Sequence, residues 1–159
     1  MSTHTTPDGS TLEYGPTAVA GRTALVGVLA GLAFGALIQF QLGRMTAIGA
    51  MYTLGDPSLT VGWVAHLFHA ALFGAFFGVL VDTGVLREHA TELAPSVALG
   101  AAYATALWLV NVGLVWPLWL NAVSFGTDLP VPNVAVMPLV GHLVWGVLLG
   151  AGTAVALAR

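Results

Sequence analysis

Polar positions are scarce along most of this chain, and where they fall they divide it into four long apolar stretches. The stretches run over 23–42, 61–81, 96–120 and 138–157. Each reaches the roughly 20 residues that a helix needs to cross a hydrocarbon core of about 30 Å. None shows the alternation of a half-buried strand, and an isolated segment can satisfy its backbone polar groups within lipid only as a helix. The pattern predicts an all-α, polytopic membrane four-helix bundle. Pro95 and Pro138 fall at the expected helix starts, where a missing N–H is harmless. Pro117 falls near the end of the third stretch and is expected to kink or terminate it.

Residues 1–20, rich in Ser, Thr, Pro and Gly, read as a disordered tail ahead of a single transmembrane domain over 21–159. Asp8 and Glu13 in that tail, with Arg22 as the sole basic flank, argue against a cleaved signal. Four spans put both termini on one side. Arg22, Arg87 and Arg159 fall on that side and Arg44 on the other, which predicts cytoplasmic termini in a multi-pass protein of the cell membrane. The segments 43–60 and 121–137 then face outward. Tyr52, Trp63, Trp116 and Trp119 collect near that boundary as an aromatic belt would. The run Met45–Leu54 is apolar enough to lie at the interface, or to dip in as a lid.

Sliding the chain by 76 residues sets Val64-Ala65-His66-Leu67 on Val140-Gly141-His142-Leu143, and Leu72, Gly74 and Ala75 on Leu148, Gly150 and Ala151. Matches among Gly, Ala, Val and Leu come easily in an apolar chain. A paired histidine does not, since the chain has only five. The register predicts two tandem helical hairpins, about 21–95 and 96–159, in a parallel pseudo-repeat.

Composition narrows the classes. Charged residues make up 7% of the chain, against about 25% in a soluble domain. A net charge of −3 with no lysine excludes nucleic-acid binding, which needs a basic face, and Schiff-base chemistry. With no cysteine, there are no disulfides, thiol redox centres, Cys-ligated zinc or iron–sulfur clusters.

Small residues recur at four-residue spacing: Gly27, Gly31 and Gly35 in the first span; Ala70, Gly74 and Gly78 in the second; Gly146, Gly150 and Ala154 in the fourth. Such stripes let helix backbones approach closely in lipid. One step further along the last two series lie His66 and His142, which points both imidazoles toward protein. His66 lies about five residues inside its span, roughly 7.5 Å below the boundary. His69, three residues on, shares the same broad face.

Three chemistries fit this trio. His66 and His142 are candidate axial ligands of a haem b, and His66, His69 and His142 are a candidate copper or zinc set. Met45, Met51 and Met137 in the outward segments would suit Cu(I). Against both, there is no basic cluster for propionates, no carboxylate triad and no HExxH motif. A proton or small-solute path is the third, but Asp82 marks a span end and Asp56 and Asp128 lie outside, so no carboxylate sits at membrane depth. The plain alternative makes the histidines packing contacts, each worth about 0.6 kcal/mol. Asn111 at mid-depth is expected to bond across helices, and His89, among Arg87, Glu88 and Glu92, to be solvated.

Gly62-Trp63-Val64-Ala65-His66-Leu67-Phe68-His69 and Gly141-His142-Leu143-Val144-Trp145-Gly146 carry a likeness. Over most of residues 20–157 the chain resembles small, functionally uncharacterised four-span membrane proteins of haloarchaea, some of which bear the label histidine kinase. These residues hold no nucleotide-binding domain to support that label. The leading expectation is a structural or accessory subunit, or a self-associating bundle, with no catalytic residue. Its partners are then the lipid bilayer and a second copy or a larger membrane complex. A haem- or metal-binding electron-transfer protein and a minimal channel or carrier are the alternatives.

Overall fold

The structure, a computed structural model, describes residues 14–124 and 128–158. Its elements are α1 (Pro16–Phe40), α2 (Met45–Ala50), α3 (Leu59–Val81), α4 (Leu86–His89), α5 (Leu93–Val110), a π-helical turn (Asn111–Val115), α6 (Trp116–Ala122) and α7 (Val136–Leu157). Four helices are long and apolar enough to cross a membrane: α1, α3, the run from α5 through α6, and α7. The fold is an all-helical four-span bundle. Residues 1–13 of the expected tail, with Asp8 and Glu13, lie outside the described residues, as does Arg159. The remainder of that tail is corrected: α1 already begins at Pro16, a proline in the first turn where its missing N–H leaves no gap.

The third span also departs from expectation. Pro117 does not end the helix. It lacks the N–H that would bond the Gly113 carbonyl, and the chain widens into the π-turn just before it. The Asn133 N–H then donates to the Gly113 carbonyl at 2.9 Å, so the vacated acceptor is filled from the 128–135 segment. Asn121 holds the same segment by two bonds to the Leu129 backbone, and the Trp108 indole donates to the Ala135 carbonyl.

The surface is inverted relative to a water-soluble bundle. Leu25, Leu29, Phe68, Phe76 and Val147 are exposed within the spans, while Thr23, Ala30, Ser96, Ala104 and Thr153 are buried. Lipid removes the hydrophobic drive between helices, so the small side chains mark where backbones touch. In the first hairpin α1 packs on α3, where Gly27 meets Ala70 and Gly74. In the second, α5 packs on α7, where Gly100 meets Gly146 and Gly150. Contact between α1 and α7 joins the hairpins. All three small-residue stripes are thus helix-packing seams.

Ser96 Oγ–H donates to the Gly150 carbonyl at 2.8 Å across a fully buried seam. That carbonyl lies within a helix, so the bond is a second one on an acceptor already served. Ser96→Ala is expected to lower stability by only about 0.6 kcal/mol, the typical value for such bonds in membranes. A thermal melt in detergent checks this, and a loss several times larger would show that the hydroxyl anchors the seam.

The start of α1 and the end of α7 lie at one end of the bundle, here called proximal, where Arg22 donates to the Ala156 carbonyl. The Arg87 guanidinium pairs with the Asp82 carboxylate at 2.9 Å there and its Nε–H donates to the Asp82 carbonyl, closing the turn between the hairpins. The other, distal end carries α2 and the 128–135 segment. Gly43 takes a left-handed backbone (φ 61°), which turns the chain from α1 into α2. The Ser58 hydroxyl accepts from the Val61 N–H and caps α3.

Candidate ligand cavity

A cavity of about 640 Å³ occupies the distal half of the bundle, with walls from all four spans, α2 and the 128–135 segment. Its sides are mostly apolar and aromatic, including Phe34, Phe73, Trp116 and Trp145. His66, His69, His142 and Asn111 are the polar side chains at span depth on its wall.

His66 is 8% exposed and sits where Gly31 and Gly35 leave room on α1. Its Nε2–H donates to the Gly31 carbonyl at 2.9 Å. A carbonyl only accepts, so the neutral ring carries its proton on Nε2 and keeps a lone pair on Nδ1. His142, 9% exposed, does the converse: its Nδ1–H donates to the Pro138 carbonyl one turn earlier, at 2.8 Å, and Nε2 keeps the lone pair. The two rings, from different hairpins, share one neighbour. Phe34 of α1 meets His66 edge-on at 5.5 Å between ring centroids and His142 at 4.8 Å. Phe34 itself lies over Gly141, where a Cβ would collide with its ring.

His69 stands apart from the pair. His69 also lines the cavity, but its Nε2 is hydrogen-bonded to the Tyr52 hydroxyl at 2.6 Å. Among the described residues no three His, Asp or Glu side chains come together as a metal site. Met45, the first residue of α2, is buried, and only Met51 of the expected methionines reaches the cavity wall. A haem bridging the pair would have to take His66 through Nδ1, because Nε2 is bonded to the Gly31 carbonyl of α1.

The polar neighbours sort differently from expectation. Asn111 makes no side-chain hydrogen bond among the described residues and stands in the π-turn facing the cavity, rather than bonding across helices. The aromatic residues of the expected belt also make inward contacts, although Tyr52 and Trp119 stay exposed. The Trp63 indole donates to the Gln39 side chain and covers Gly35, while Tyr52, Trp116 and Trp119 line the cavity. Burial pushes the Tyr52 phenol above its usual range, so it keeps its proton at neutral pH.

The run Met45–Leu54 forms a cover. Met45, Ala47 and Ala50 are buried, and Gly49 and Gly62 bring α2 so close to the start of α3 that a Cβ at either would strike opposing backbone. The chain then turns so that Tyr52 reaches both His69 and, at 5.0 Å between ring centroids, Trp119. Phe34, the π-turn and the 128–135 segment carry no motif in the sequence. Pro117, which frees one carbonyl a turn before it, was the one local signal of the arrangement.

Fold and cavity define a class, an all-helical multi-pass membrane protein with a chamber between its spans. No family model, curated protein or solved structure matches this chain.

Proposed function

We propose that this is a membrane-embedded binding protein whose distal chamber holds a chiefly apolar small molecule by a hydroxyl group. One observation carries the reading: His66 and His142, from separate hairpins, wall the same chamber, and each has its N–H satisfied and one lone pair free. Two acceptors on an apolar wall suit a ligand that donates, such as a phenol or an alcohol. Asn111 adds a donor and an acceptor. At about 640 Å³ the chamber falls within the roughly 300–1,000 Å³ of sites for drug-sized ligands.

The test uses Trp116, Trp119 and Trp145 on the cavity wall as reporters and a para-(bromoalkyl)phenol as probe, since bromine quenches indole fluorescence on contact. Saturable quenching is expected in the purified protein. His66→Ala and His142→Ala are each expected to weaken it about tenfold, the loss of one hydrogen bond to a buried group. Unchanged affinity in both variants would overturn the reading. So would a Soret band lost in His142→Ala, which would place a haem there instead.

Three further readings belong with this one. Two hairpins related by duplication are supported by matched packing: Gly74 meets Ala24, and 76 residues on Gly150 meets Gly100. Cytoplasmic termini in the cell membrane are supported by Arg22 and Arg87 at the proximal end against Arg44 at the distal one. A haloarchaeal origin is supported by the sequence likeness and by the absence of lysine.

A further inference from the structure

The four spans are not packed equally. Close backbone contact joins α1 to α3, α5 to α7 and α1 to α7, but not α3 to α5. That fourth side is closed by side chains at two levels. Toward the proximal end the Tyr103 hydroxyl donates to the Phe73 carbonyl at 3.0 Å and its ring meets Phe77. Toward the distal end Tyr52 spans from His69 to Trp119. Between these two bridges the cavity wall includes Leu72 of α3 and Val115 of the third span, and both also belong to outward rows: Leu72 continues the exposed series Val64, Phe68 and Phe76, and Val115 stands with the exposed Leu114, Leu118 and Trp119.

A side chain that lines a chamber and also faces outward marks an opening. Leu72 lies thirteen residues from one end of α3 and nine from the other, so it is about 20 Å and about 13 Å from the two ends at 1.5 Å per residue. Val115 lies seven residues before the end of α6, about 10 Å from it, so an opening that runs between the two faces acyl chains. Leu72 and Val115 at the rim carry no polar group that would hold water there.

We infer that the chamber loads sideways from the lipid, through the seam between α3 and the third span, and that its ligand is a bilayer-dissolved phenol or alcohol. This rests on the binding reading above. The competing way in is the distal end past Gln41 and Arg44, which also touch the cavity and are solvent-exposed polar groups. A water-borne ligand would use that route.

The experiment follows quenching by the same bromoalkyl phenol over time, in lipid nanodiscs mixed with probe-loaded vesicles. Leu72→Phe with Val115→Phe fills the seam with side chains that lipid tolerates and adds no tryptophan. It is expected to slow both uptake and release about tenfold or more. A mere loss of contact would speed release instead. Gln41→Phe with Arg44→Phe is expected not to slow uptake, and the wild-type rate is expected to follow the probe's fraction in the bilayer rather than its concentration in water. Slowing by the Gln41/Arg44 pair alone, or no slowing by the Leu72/Val115 pair, overturns lateral loading while leaving the binding reading intact. No saturable quenching in the wild type overturns both.

Discussion

Gly150→Val is expected to destabilise the bundle by about 3 kcal/mol or more, the upper part of the range for overpacking a closed interface. A Cβ at this position would stand 2.8 Å from the Ser96 carbonyl carbon and 2.8 Å from Val97 Cα. Both obstacles are backbone, so no rotamer change relieves the clash and α5 must move away from α7. The separation would also stretch the Ser96–Gly150 hydrogen bond and forfeit close contact along the whole seam. Gly21 supplies the control, for a Cβ there meets nothing within 4 Å. Gly21→Ala is expected to melt with the wild type or slightly above it, as alanine is the better helix former. Thermal unfolding followed by tryptophan fluorescence checks both, and a Gly150→Val protein as stable as the wild type would mean the helices do not meet this closely.

The second large effect lies where the hairpins join. Trp145 is 3% exposed, lies on the cavity wall, and its indole N–H donates to the Gly27 carbonyl on α1 at 3.1 Å. Trp145→Ala removes ring and bond together and extends the void toward α1, at a cost of about 3 kcal/mol. Trp145→Phe keeps most of the ring and loses the bond, at about 0.6 kcal/mol. The gap between the two variants measures packing against hydrogen bonding. Equal destabilisation by both would show that the indole N–H, and not the ring, holds α7 to α1.

The spans were legible in the sequence because lipid crossing is a matter of length and hydropathy, both local. The helix faces were legible for the same reason: a glycine every fourth residue can only serve a close neighbour, and Gly27, Gly74 and Gly150 each have one. The start of α1 was not, since Thr17, Gly21 and Arg22 dilute the apolar pattern while leaving helical backbone unopposed. His66 and His142 were placed correctly toward protein, but their common neighbour, Phe34, lies on a different helix and no periodicity points to it. His69 shares His66's broad face, yet its Nε2 is bonded by Tyr52, from a segment whose sequence does not point to it. The cavity could not be read at all. It follows from the unequal spacing of four helices, which is decided by the sum of many side chains rather than by any one.

The Asn133–Gly113 bond ties a connecting segment into the middle of a span. Because Asn111 and Val112 stand within the same turn as Gly113 and form part of the chamber wall, a tug on 128–135 is transmitted to that wall through one backbone link, with no soft joint between. A molecule that gripped this segment from the aqueous side would therefore reshape the chamber mechanically without ever touching its contents.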